Sequence, residues 1–316
     1  MFITIGSLFH ALFLSEEECE GYCREKRLER YRQYGGAVKW IPFHSFMHRV
    51  LMPLLWCNHF FSGKRLTIYR DMRRRGSRPI IYCPTHIGGV DIEMSFLAIH
   101  EPCWLVLGDP RELYRSFDGF LLQANGVILM DVSFKEDRIA AKAQMKDLLN
   151  KGGNLLLFPE GVQNISPNAL VNPLFPGAVD LAIECNADIV PIALCRASNR
   201  YYANIGENIS YEGCDHEEKY KLTEELRNKI ATLKWEIIES IPGIRRRDVK
   251  EASYEEFLQE VFSMDATYTW TMDDIKSGIF RPKGVTDPDE VFDFMNRISP
   301  GIQNAFLFSK SDGCSR

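Results

Sequence analysis

Between residues 65 and 200 one alternation recurs. Short apolar runs, Leu66–Tyr69, Pro79–Cys83, Cys103–Leu107, Val127–Met130, Asn154–Phe158 and Ile189–Leu194, are separated by longer stretches with helical spacing. Those stretches are Asp91–His100, Tyr114–Gln123, Lys135–Lys151 and Pro176–Cys185. A short run that is apolar throughout reads as a strand covered on both faces. Parallel neighbours need long crossovers, and the helical stretches supply them. The chain is therefore expected to be α/β, a largely parallel sheet flanked by helices.

The flanks differ from this core. Residues 16–34 form a charged stretch of strong helix formers, read as a helix whose plain reading is a solvated one. Residues 45–62, SFMHRVLMPLLWCNHFFS, are apolar and aromatic on most faces, and Pro53 is expected to kink a helix there. After Tyr201 the sheet signal fades. A long amphipathic helix over 216–240 stops at Pro242 and Gly243, a second starts near Tyr254, and 268–316 scatters Trp270, Phe280, Phe292, Phe294, Phe306 and Phe308 among Pro and Gly. Three segments result: N-terminal membrane-contacting helices (1–63), the α/β domain (64–200) and a helical, irregular C-terminal extension (201–316). The opening MFITIGSLFHALFL lacks the basic start and small-residue cleavage site of a signal peptide. It falls short of the ~20 apolar residues that span a bilayer, so it reads as a core helix or a membrane-surface segment.

A hydrophobic fraction of 45% with 26% charged residues excludes disorder over most of the chain. The net charge of −5 is unevenly placed. Residues 21–78 hold 14 Lys and Arg against 3 Asp and Glu, a local +11, which leaves −16 for the remainder. Such asymmetry suggests an anionic partner for the N-terminal quarter. No nucleic-acid motif accompanies it, so no nucleic acid is expected. The aromatic stretch followed by GKRLTIYRDMRRRGSR fits an anionic membrane surface; the alternative is a buried helix with a solvated basic loop. Nine cysteines without a CxxC pair or a Cys/His cluster indicate reduced thiols and no metal. Together these place the protein on the cytoplasmic face of the cell membrane, peripheral or monotopic.

The stretch IIYCPTHIGGVDIEMSF carries chemistry. His86 follows a strand end, the usual position for function in open α/β sheets. Gly88 and Gly89 allow a tight turn. Asp91 stands at a helix start, as a cap or as a carboxylate that fixes the imidazole tautomer and raises its basicity. Glu160 and Gly161 lie just past another strand, at the rim expected to hold His86. Pro191 interrupts an apolar strand and is expected at a sheet edge or bulge. No Gly-x-Ser-x-Gly elbow or Gly-x-Gly-x-x-Gly turn is present, against a serine hydrolase and a dinucleotide fold.

Three ordered blocks, His86–Asp91 (His-x4-Asp), Phe158–Gly161 and Val190–Ala193, resemble the glycerolipid acyltransferases, most nearly the 1-acylglycerol-3-phosphate acyltransferases. The resemblance covers roughly 64–200. It implies transfer of a fatty acyl chain from an acyl-coenzyme A or acyl carrier protein thioester to a hydroxyl of a lysolipid, in phospholipid biosynthesis. His86 would be the general base and Asp91 its orienting partner. Glu160, Gly161, Gly126 and Pro191 would bind substrate, with no metal and no cofactor beyond the thioester co-substrate. The chain departs from the family at several points. Thr85 replaces an asparagine, and Val132 and Gln163 stand where two arginines for the acceptor's phosphate are expected. Other cations, such as Lys135, Arg138, Arg196 or Arg200, replace them, or the acceptor is not a simple phosphomonoester but another lysolipid, an amino-acid lipid or a glycolipid. A non-catalytic membrane-surface protein with the same fold is the remaining alternative.

Overall fold

The computed structural model describes residues 13–74, 76–108, 116–166, 169–197, 199–241, 255–256, 259 and 271–282. Most of the N-terminal apolar segment, Tyr114, Arg75, the helix start near Tyr254 and the aromatics of 283–316 lie outside these residues.

The core is one sheet. In chain order the elements are α1 (Glu16–Tyr34), α2 (Ile41–Phe61), β1 (Arg65–Asp71), β2 (Ile80–Pro84), α3 (Asp91–Ile99), β3 (Trp104–Gly108), α4 (Phe117–Asn125), β4 (Val127–Met130), α5 (Lys135–Asn150), β5 (Leu155–Leu156), α6 (Gly177–Cys185), β6 (Asp188–Ala197), β7 (Arg200–Ile205), β8 (Ile209–Ser210), α7 (Lys219–Ser240) and α8 (Met272–Gly278). The strands run β1-β7-β6-β2-β5-β3-β4, and β8 also pairs β6. From β6 to β4 every pairing is parallel. β7 and β8 return antiparallel to β6, and β1 is parallel to β7. The sheet is thus mixed and mostly parallel.

Alternation along β2 builds two cores. Ile81 and Cys83 face a layer that includes Leu148 of α5, Ala182 of α6 and Ile230 of α7. Ile80 and Tyr82 face the opposite layer with Phe96 of α3, against which Met52 and Leu55 of α2 pack. All five β2 residues are buried, so the central strand has no solvated face.

Two expectations change. Residues past Tyr201 were expected to leave the sheet, yet Arg200–Ile205 forms β7 with a six-residue antiparallel register to β6. Pro191 was expected at an edge or bulge. It lies in the central strand β6, opposite Cys83 of β2. Its carbonyl accepts from Gly206 N–H just past the end of β7, and on that side the neighbour of β6 then changes to β8 at Ile209. The donor that proline lacks falls in this break, so the ladder loses nothing there.

The charged helix α1 is partnered. Ser15 and Glu18 form a capping box at its start. Arg24 pairs with Asp131 at 3.0 Å, and Arg27 grips Asp137 through Nε (3.1 Å) and Nη2 (2.6 Å). Part of the N-terminal positive charge is therefore met by the acidic remainder of the same chain. The later basic run behaves similarly. Arg73 binds Asp71 and the Ile99 carbonyl, Arg74 pairs with Glu207, and Arg78 with Asp188 and Glu212.

Helix α2 runs unbroken through Pro53. Its inner face carries His44, His48 and His59, all buried. His44 Nδ1 meets the Ala124 carbonyl and His48 Nδ1 the Asn125 amide oxygen, both at 2.9 Å. Its outer face exposes Phe46, Val50, Leu54 and Phe61. Among the described residues no helix is long and apolar enough to cross a membrane.

Candidate active site

The site begins where β2 stops. Pro84 ends the strand, and the buried Thr85 continues its cross-links: the Thr85 hydroxyl donates to the Leu194 carbonyl (3.1 Å) and accepts from Leu194 N–H (2.8 Å). Threonine thereby anchors the chain to β6 one residue before His86. Gly88 and Gly89 then adopt φ of 78° and 64°, left-handed backbone that side chains resist, and turn the chain into α3.

Asp91 is the first residue of α3, and Val90 is the cap residue. The aspartate therefore faces back into the loop instead of capping its own helix. One oxygen, Oδ2, accepts from Ile87 N–H and Gly88 N–H (2.8 Å each) and meets His86 Nδ1 at 2.7 Å. Asp91 is 1% exposed. A carboxylate at Nδ1 holds that nitrogen protonated and makes Nε2 the basic nitrogen of the ring. The Phe158 ring lies 4.8 Å from the imidazole, between centroids.

Glu160 supports the loop from behind and is 0% exposed. Its Oε1 accepts His86 N–H (2.9 Å) and its Oε2 accepts Asn172 N–H (2.7 Å). Burial pushes its carboxyl pKa up, opposed by Lys234 and by these donors. Both oxygens are committed to backbone, so Glu160 holds the site's frame and does not form its surface. Gly161 has φ 73°, and the Phe175 ring occupies the space a side chain would need.

His86 and Asp91 open onto a cavity of about 1220 Å³. Val106 and Leu107 of β3, Met130 of β4, Met145 of α5 and Phe175 make much of its apolar wall. Gly161, Val132 and Gln163 line it too; Val132 is 52% exposed there. Gly126 and Pro191 do not. Gly126 precedes β4, at the end of the strand away from the cavity, and is glycine because the Trp104 ring would lie 2.9 Å from any β-carbon. Pro191 is within the sheet. Of the cations proposed from sequence, Arg138 lines the cavity and Lys135, Arg196 and Arg200 do not. Sequence reading missed Arg24, Lys142 and Arg281, which do. Nothing in their local spacing marks them, because each arrives from a different element. Asp180, Glu184 and His216 present ligand atoms within 4.8 Å of one another, but the Lys142 ammonium sits on both carboxylates (2.5 and 2.8 Å). Among the described residues eight cysteines are free thiols.

A half-buried imidazole paired with a buried carboxylate at the C-terminal edge of a mostly parallel sheet, beside a cavity with apolar and charged walls, can move a proton to or from a group bound there. Residues 65–195 match the family model described as Acyltransferase, and this part of the chain is an acyltransferase domain. Among solved structures the chain is similar to the 1-acyl-sn-glycerophosphate (LPA) acyltransferase PlsC from Thermotoga maritima, at 13% identity and a TM-score of 0.46, over 72% of this chain and 87% of that one. No curated protein matches the sequence.

Proposed function

We propose that this acyltransferase moves a fatty acyl chain from a coenzyme A or acyl carrier protein thioester to a hydroxyl of a lysolipid, at the cytoplasmic membrane surface. The observation that carries the reading is the 2.7 Å contact between His86 Nδ1 and the buried Asp91, which leaves Nε2 as the base beside the cavity. The acceptor hydroxyl gives its proton to Nε2, its oxygen attacks the thioester carbonyl, and the tetrahedral centre collapses by releasing the thiolate. The imidazolium returns the proton to that sulfur, so no acyl-enzyme is required. The apolar wall suits the acyl chain. The exposed aromatic face of α2 supports membrane docking.

A second reading, with an acceptor lacking a phosphomonoester, rests on Val132 standing exposed on the cavity wall where an arginine was expected. One assay tests both. Purified protein is offered palmitoyl-coenzyme A or an acyl carrier protein thioester against lysolipids with and without a free phosphomonoester, beside His86→Ala. Transfer that falls ~10²–10⁴-fold in the variant is expected; equal rates in both proteins would discard the mechanism. The preferred acceptor decides between the two readings.

A further inference from the structure

Four basic side chains besides His86 line the cavity: Arg24, Arg138, Lys142 and Arg281. Two are neutralised in place. Arg24 pairs with Asp131, and Lys142 with Asp180 and Glu184. The other two have no carboxylate partner among the described residues. Arg138 of α5 donates to the backbone carbonyl of Val132. Arg281 belongs to the segment 271–282, far beyond the acyltransferase domain in sequence, and is exposed.

That segment is seated on the cavity by three contacts. Ile275 of α8 is fully buried. Gly278 rests on Val162, leaving no room for a β-carbon. Phe280 packs on Phe175 at 4.8 Å between ring centroids, and Phe175 in turn covers Gly161. The lining carboxylates are committed elsewhere: Asp91 to the His86 loop, Asp131 to Arg24, Asp180 to Lys142 and His216, and Asp274 to Thr271 N–H and Oγ. Glu20 on α1 also lines the cavity. Positions 132 and 163, where arginines were expected, both line the cavity, and so do Arg138 and Arg281, each from another element. Arg138 arrives at Val132, and the strap bearing Arg281 docks on Val162, beside Gln163.

We infer that residues 271–282 form a strap over the acyltransferase cavity and that Arg281, with Arg138, binds a substrate phosphate there. The inference rests on the acyl-transfer reading for the identity of the substrates. The phosphate belongs either to the lysolipid acceptor or to the thioester carrier. Guanidinium is suited to both, because its planar fork meets two phosphate oxygens at once.

The test is binding of single ligands to the full chain, with no co-substrate present, so that no transfer occurs. Two pairs are titrated calorimetrically: short-chain lysophosphatidic acid against the matching monoacylglycerol, and coenzyme A against pantetheine. Arg281→Gln is expected to weaken the phosphate-bearing member of one pair about tenfold, the scale of one charge-assisted hydrogen-bonded contact, and to leave both phosphate-free ligands alone. The pair affected names the source. Arg281→Lys should recover part of the loss. Gly278→Leu, which cannot seat on Val162, should reproduce it with an unchanged melting temperature. The inference is overturned if Arg281→Gln binds all four ligands as the wild type does, if it weakens all four equally, or if the wild type itself does not prefer the phosphate-bearing members. Turnover of the wild type is measured separately. A phosphate preference that depends on Arg281 in a chain with no transferase activity would remove the acyl-transfer reading while leaving the anion site in place.

Discussion

At the scale of single residues, the two acidic groups next to His86 do different work and should fail differently. Asp91 meets the ring nitrogen, whereas Glu160 meets only backbone N–H groups. Asp91→Asn can turn an amide N–H toward Nδ1 and favour the other tautomer, in which Nε2 carries the proton and cannot act as base. Its turnover should fall ~10²–10⁴-fold while substrate KM values change little. Glu160→Gln places an amide nitrogen against one of two backbone donors. It should cost about 1–3 kcal/mol in urea unfolding, with a smaller effect on turnover per folded molecule. A Glu160→Gln protein as stable as wild type would show that the clamp is not structural. The different legibility of these residues has the same origin. His86 and Asp91 are five apart and share one turn, so their pairing was readable locally. That Glu160 serves the frame was not, because its partners lie 74 and 12 residues away. Gly126 and Pro191 looked like binding residues by their place in motif blocks. Their local packing, against Trp104 and within β6, explains them without any ligand.

At the scale of elements, the parallel strands and their crossover helices were legible because each has one unambiguous period. β7 was not, since its sequence RYYANI mixes a charge, an amide and tyrosines, and its partners are set by a hairpin back onto β6. Helix α2 was read as apolar, but its three inward histidines turn it into a pH-dependent element. Burial lowers the His48 and His59 pKa values from 6.5 to about 4, with Lys64 adding to the effect at His59, while the Asn125 contact opposes it at His48. Neither His59 ring nitrogen has a hydrogen-bond partner among the described residues. Both imidazoles are thus neutral in the folded state and take up protons on unfolding. Their stabilising contribution is complete above pH 6.5 and is lost as pH falls from 6.5 toward 4, by at most on the order of 3 kcal/mol each. Urea midpoints measured at pH 7.5 and pH 5 should therefore drop on acidification. The drop should be smaller in the His48→Phe, His59→Phe double variant, which cannot protonate there. An equal drop in both proteins would assign the acid sensitivity to other groups.

At the scale of the whole molecule, the proposed membrane docking has two candidate surfaces. Composition pointed to two adjacent features, an aromatic helix and a basic run, as one membrane site. The fold keeps Arg65 on Phe60 at the end of α2 but carries Arg74 and Arg78 to the far end of the sheet. Arg74 and Arg78 lie level with Ile80 and Asp188, at the end of β2 opposite His86, and are tied to Glu207, Asp188 and Glu212. The α2 stripe of Phe46, Val50, Leu54 and Phe61 instead leads toward β1, whose N-terminal Arg65 sits beyond the end of β2 that bears His86. Phe61 is 84% exposed, and α4, packed against α2, adds the exposed pair Phe117 and Phe120, stacked at 6.5 Å. Docking through this face would turn the end of β2 that bears His86 toward the bilayer and leave the paired arginines at the opposite end of the strand. The two faces are separable by experiment. Leu54→Gln with Phe61→Gln removes apolar area that a bilayer would cover, and should weaken co-sedimentation with anionic vesicles by about 1.5–3 kcal/mol per side chain at most. Arg73→Gln with Arg74→Gln removes charges already neutralised within the chain, so it should lose well under the ~1 kcal/mol expected for a free surface cation. High salt should then reduce wild-type binding only modestly, since apolar insertion is not screened. Vesicle binding that survives the aromatic changes but collapses with the arginines or with salt would reverse the assignment, placing the membrane at the opposite end of β2 from the base.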